Sequence, residues 1–115
     1  RINDIAFPCG YSELFATCSL NDIRVWNTKT RQELLRIEVP GLECHCVFFS
    51  TDGKSVLSGW NDGKVRAFLP QSGRLLYAIN DAHNHGVTAI AGTGDCQKIV
   101  SGGMEGEVRV WRIGR

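Results

Sequence analysis

A surplus of charge of either sign is missing from this chain. Thirteen basic residues face twelve acidic ones, for a formal net charge of +1. That balance gives no general pull toward nucleic acid or an acidic membrane. Long apolar runs are missing too, so these residues hold no transmembrane helix and no signal-peptide core. No window sustains a 3.6-residue apolar period long enough for a helix, which argues against a helical class. No Gly-x-x-x-x-Gly-Lys-Ser/Thr element is present, hence no phosphate loop. No Gly-x-Ser-x-Gly elbow presents a serine nucleophile. The cysteines, Cys9, Cys18, Cys44, Cys46 and Cys96, are five in number and unevenly spaced. They read as reduced thiols of an intracellular protein, not as a disulfide framework.

What is present is repetition. Ile23-Arg24-Val25-Trp26 recurs as Val65-Arg66-Ala67-Phe68 and as Val108-Arg109-Val110-Trp111. The arginines fix a period in the low forties. Upstream, Ser58-Gly59-Trp60-Asn61-Asp62-Gly63-Lys64 aligns without a gap to Ser101-Gly102-Gly103-Met104-Glu105-Gly106-Glu107 and to Ala16-Thr17-Cys18-Ser19-Leu20-Asn21-Asp22. In this register Asn21 stands for Gly63 and Gly106. Asn tolerates a positive φ better than most residues, so tight hairpins are expected at Leu20-Asn21, Asp62-Gly63 and Glu105-Gly106.

Each copy divides into short strands rich in Val, Ile, Leu and Phe, separated by turn residues. The first predicts Ile2–Phe7, Leu14–Cys18, Ile23–Trp26 and Glu33–Val39. The second predicts Cys44–Phe49, Ser55–Gly59, Lys64–Phe68 and Arg74–Ile79. The third predicts Val87–Ala91, Lys98–Gly102 and Glu107–Ile113. Adjacent apolar pairs such as Val56-Leu57 and Ile99-Val100 suit sheets covered on both faces.

These segments resemble the WD40 β-propeller family over essentially the whole chain, with Ala82-His83 and Trp111 as supporting marks. The expected fold is all-β: about three four-stranded antiparallel blades at residues 1–40, 41–82 and 83–115, the last incomplete. Three blades do not close a ring, so a propeller fragment that self-associates in isolation is expected. The Trp-Asp pair that names the family is degenerate here, as Trp26-Asn27, Phe68-Leu69 and Trp111-Arg112. By resemblance, the family's structural network falls on His83, Ser101, Glu105 and Trp111, with Glu105 where Asp is usual. Copy two keeps Ser58 and Asp62, and copy one, with Ala16 and Leu20, keeps only Trp26.

Repeats of this kind bind macromolecules through surfaces and seldom carry chemistry. Ser101, His83 and Glu105 could form a hydrolase triad, but no oxyanion hole accompanies them, and a locking hydrogen-bond chain is the better reading. No enzyme activity and no cofactor is therefore expected. Cys44-His45-Cys46 looks ligand-rich, yet strand alternation puts the two cysteines on one face and His45 on the other, so no metal is expected. Residues that differ between copies are the candidate partner contacts: Trp60, Asn61 and Met104 near the hairpins. Charge is also sorted. The hairpin end carries Asp22, Glu43, Asp62, Asp81, Glu105 and Glu107 against Lys64. The other end carries Lys29, Arg31, Lys54, Arg74, Lys98, Arg112 and Arg115 against Glu13, Asp52 and Asp95. Lys29, Arg31 and Arg74 join the candidate contacts, since a basic face suits an acidic partner.

A narrower resemblance is to WD-repeat proteins of motile axonemes, carried by the residue 60–68 and 101–111 strings, Gly73-Arg74-Leu75 and Gly86-Val87-Thr88-Ala89-Ile90. It implies a structural scaffold in the cytoskeleton of cilia and flagella, with tubulin and other axonemal proteins as partners and neither nucleic acid nor membrane. The alternative is a soluble adaptor that binds a peptide motif in a ubiquitin-ligase or signalling complex.

Overall fold

A computed structural model of the chain describes residues 2–8, 13–50, 53–93 and 97–112. Among the described residues, eleven strands form three antiparallel sheets. The first contains β1 (Asp4–Ala6), β2 (Leu14–Cys18), β3 (Asp22–Asn27) and β4 (Glu33–Glu38), in that order. The second contains β5 (Cys44–Phe49), β6 (Val56–Trp60), β7 (Val65–Phe68) and β8 (Leu75–Ile79). The third contains β9 (Val87–Gly92), β10 (Lys98–Gly103) and β11 (Val108–Arg112). The expected all-β blades are present, with ends moved by one or two residues. The exception is β1, which is three residues long where six were expected.

The middle sheet explains the weak alternation. All five residues of β6 are buried. One face packs on the first sheet, where Ala16, Cys18, Ile23 and Ile37 meet Cys44, Val47, Phe49, Val56, Trp60 and Phe68. The other packs on the third sheet through Val65, Ala67 and Leu57 against Val87, Ile99 and Trp111. Burial on both faces removes the pressure for polar residues at every second position. In the third sheet one face is open, and Val108 and Val110 are 72% and 63% exposed.

Two expectations are corrected by strand pairing. Thr17, not Ala16, stands opposite Arg24, as Ser58 stands opposite Arg66 and Ser101 opposite Arg109. The first hairpin is one residue shorter than the other two. Ser19 N–H donates to Asp22 O at 3.0 Å, whereas Trp60 N–H reaches Lys64 O and Gly103 N–H reaches Glu107 O. Asn21 accordingly does not take a positive φ, which Gly63 and Gly106 do. The second correction concerns Cys44 and Cys46. A bulge between them breaks the alternation, so Cys44 faces the first sheet and Cys46 the third. They cannot share an ion for a stronger reason than the one expected. Burial, first of all, raises both thiols above their ordinary range, Cys46 to about 12, and Cys18 beside Cys44 adds to the shift there.

Consecutive sheets are tied at the hairpin end. Leu20 O accepts from Cys44 N–H at 2.8 Å and Gly63 O accepts from His83 N–H at 3.1 Å. Gly63 also sits at φ +82°, and a Cβ there would collide with the His83 carbonyl. Gly63→Ala should lower stability by at least about 1–2 kcal/mol from the left-handed conformation alone. A thermal midpoint equal to that of the unsubstituted protein would refute the close approach.

Candidate functional site

The expected network assembles in the third sheet. His83 lies in the loop leading into β9, Ser101 on β10, Trp111 on β11, and Glu105 in the hairpin between them. The indole N–H of Trp111 donates to Ser101 Oγ at 2.9 Å, and His83 Nε2 lies 2.9 Å from the same oxygen. An indole nitrogen only donates, so the hydroxyl hydrogen is left to donate to Nε2. That assigns the ring proton to Nδ1, which faces Glu105 Oε1 at 3.3 Å. Nδ1 is buried and has no hydrogen bond of good geometry, so Glu105 is what satisfies it electrostatically. The missing side chain at Gly103 makes room, since a Cβ would overlap both Glu105 Oε1 and His83 Nδ1.

This geometry does not suit catalysis at Ser101. The residue is fully buried, and indole and imidazole occupy its hydroxyl on two sides, so no acyl carbon can approach it. His83, Glu105 and Glu107 place three donor atoms within 4.8 Å of one another. Glu107, however, accepts from Arg109 Nη2 at 2.8 Å, and Glu105 Oε2 accepts from the His85 N–H. Those donors are already committed to hydrogen bonds and ion pairs, and the set reads as a lock.

The other two sheets hold versions of the same lock that the sequence hid. In the first sheet Trp26 Nε1 donates to Thr17 Oγ1 at 3.0 Å, so that copy keeps its hydroxyl as well as its Trp. In the second, Phe68 has replaced the expected Trp and offers no N–H. Trp60 supplies it from a different strand, donating to Ser58 Oγ at 2.8 Å, while Ser58 Oγ–H donates to Arg66 O at 2.8 Å. Trp60 is 0% exposed, and the Arg66 guanidinium lies 5.4 Å above its ring. The candidate contact at Trp60 is therefore corrected to a core position. An apolar ring can go inward there because the first sheet covers it and Ser58 satisfies its one polar atom.

The recurring arginines also find their role. Arg24, Arg66 and Arg109 clamp a carboxylate of their own hairpin: Asp22 at 3.1 Å, Asp62 at 2.8 Å and Glu107 at 2.8 Å. Burial works against the charge on Asp62, but the Arg66 hydrogen bond and the Lys64 amide outweigh it and hold the carboxyl below its usual value. A depressed carboxyl stabilises above its unfolded pKa, and that contribution disappears as pH falls through the folded one.

The remaining candidates are on the surface. Asn61 is exposed, and its Oδ1 accepts from Glu43 N–H at 3.1 Å. Met104 is 60% exposed. Lys29, Arg31 and Arg74 are exposed on the turns at the opposite end. Arg115, Asp52 and Asp95 lie outside the described residues.

Comparison with known proteins agrees with this architecture. Residues 73–112 match the WD domain, G-beta repeat family. The chain thus carries a WD40 repeat over β8 to β11. It is 62% identical over 113 residues to the human protein named cilia- and flagella-associated protein 52, covering 98% of this chain and 18% of that protein. The Chlamydomonas reinhardtii protein of the same name is 62% identical over 115 residues, covering 100% of this chain and 19% of that protein. The Saccharomyces cerevisiae U3 small nucleolar RNA-associated protein 12 is 30% identical over 100 residues, covering 87% of this chain and 10% of that protein. The chain thus spans about a fifth of the cilia- and flagella-associated relatives.

Trp60→Ala should cost about 3–5 kcal/mol of stability. Trp60→Phe, which keeps the ring but leaves Ser58 without its donor, should cost about 1–3 kcal/mol. Chemical denaturation reads both, and a Trp60→Ala protein of unchanged stability would return Trp60 to the surface.

Proposed function

We propose that these blades belong to a non-enzymatic structural protein of motile cilia and flagella. It is associated with microtubules inside the axonemal doublets and binds tubulin and neighbouring axonemal proteins through its propeller surfaces. One observation carries the reading: the 62% identity that runs through 98–100% of this chain to cilia- and flagella-associated proteins of an animal and an alga. Identity at that level extends beyond the strands into the turns, which are the parts a partner meets. The geometry supports the same direction. The side chains with catalytic chemistry in the third sheet are consumed by the lock, and a rigid stack of sheets presents loops at two ends for docking.

The test is extraction. The full protein, tagged in ciliated cells, is expected to stay with the doublet microtubules after detergent and then high salt. Release into the soluble fraction would end the lattice reading and favour a soluble adaptor.

A further inference from the structure

Nine of the eleven described cations, all but Lys54 and Lys64, sort into two populations. Arg24, Arg36, Arg66 and Arg109 are each ion-paired with a carboxylate. Lys29, Arg31, Arg74, Lys98 and Arg112 are all exposed, and among the described residues none of these five forms an ion pair. Topology puts the five together. In each antiparallel sheet the β2–β3, β6–β7 and β10–β11 hairpins lie at one end. The β3–β4 turn with Lys29 and Arg31, the β7–β8 turn with Arg74, the start of β10 at Lys98 and the end of β11 at Arg112 lie at the other. All three sheets contribute to this rim.

Arg31 carries a second, independent signal. It sits at φ +63°, a conformation that disfavours any residue with a Cβ. The matching turn of the second sheet shows what the backbone wants there. Arg31 N–H donates to Asn27 O at 2.8 Å, and Gly73 N–H donates to Leu69 O at 2.8 Å, with Gly73 at φ +76°. The first sheet therefore holds a cation where its sister turn holds glycine. Asn27 Oδ1 accepts from the Lys29 and Thr30 N–H groups at 2.9 Å and keeps the strained turn in place. Strain of this kind concentrates at functional positions.

We propose that this basic rim is a docking surface for an unstructured acidic peptide segment of a partner protein, with Arg31, Lys29 and Arg74 as its central contacts. The inference rests on the scaffold reading above and names the partner chemistry of one of its faces. Packed sheets lie about 10 Å apart, so the rim offers a cation roughly once per sheet at that interval. A chain in the extended left-handed helix returns a side chain to the same face every third residue, after about 9 Å. An acidic residue at every third position would thus meet successive blades. Nucleic acid is the less fitting occupant, because among the described residues Phe7 is the one exposed aromatic ring at this end, and successive bases need a series of rings on which to stack.

The test uses the purified full protein with a labelled polyglutamate peptide, and single-stranded RNA as competitor. Arg31→Gly is the informative variant because its two readouts should move in opposite senses. Relief of the left-handed conformation should hold or raise the unfolding midpoint, by roughly 2–4 °C. Loss of the cation should weaken peptide binding about two- to fivefold. Combined Lys29→Glu, Arg31→Glu and Arg74→Glu should weaken it at least about tenfold, while Lys64→Glu at the opposite end leaves it unchanged. Peptide affinity unaltered by the triple reversal, or equal loss from Lys64→Glu, overturns the proposal. So does RNA that displaces the peptide at lower concentration than polyglutamate itself. Binding here is read on isolated protein, so a negative result leaves axonemal retention standing, and release from salt-washed axonemes leaves peptide binding standing.

Discussion

An indole N–H packed down on a sheet must meet an acceptor, and the rest of this structure is arranged around that requirement. Each sheet meets it with one hydroxyl on its second strand: Thr17, Ser58 and Ser101 in the first, second and third. The hydroxyl is fixed in place, whereas the origin of the indole is not. Trp26 and Trp111 reach it from the third strand of their sheets, and Trp60 reaches it from the same strand. An unpaired buried N–H costs about 1–3 kcal/mol, a large share of the margin that keeps a small domain folded. Replacing a Trp with Phe68 is therefore tolerable only because Trp60 closes the gap.

The lock also explains how little chemistry the chain offers. Ser101 and His83 would attract notice as a nucleophile and a base in any sequence, and their distance of 2.9 Å satisfies the first geometric test. What defeats the idea is the third partner. Trp111 fills the space from which a substrate would come, and full burial of Ser101 removes access. The same contacts that would polarise the hydroxyl hold the loop before β9 against the hairpin after β10, stiffening one end of the stack.

The strands were legible because each is a short apolar run bounded by turn residues, and because the repeat fixes their phase three times over. What escaped was anything decided by one inserted or deleted residue. A gapless alignment assigned Ala16 to the hydroxyl position, since a hairpin shortened by one residue leaves no trace in a count anchored on Arg24. The bulge after Cys44 likewise reversed one side chain and sent two cysteines to opposite faces. Trp60 was misplaced for a different reason. Its neighbours in the hairpin are polar, and only the packing of the preceding sheet turns that position inward. A signal was available: Phe68 leaves Ser58 without an indole, and Trp60, two residues along the same strand face, is the one ring that can reach it.

Rigidity at one end bears on what the other end can do. At the hairpin end, arginines are spent on carboxylates two to four residues away, so their charge is satisfied within the hairpins. At the opposite end Lys29, Arg31, Arg74, Lys98 and Arg112 form no ion pair among the described residues, and their turns are held by backbone bonds such as Leu69 N–H to Arg74 O and Asn27 N–H to Gln32 O. A charge on an immobile turn loses less freedom on binding than one on a flexible tail. Fixed cations repeated from sheet to sheet also favour a ligand whose own charges repeat, because each added contact is then nearly intramolecular. Selectivity would follow from matched spacing across blades more than from any single side chain, which is how a fold with little chemistry can still discriminate between partners.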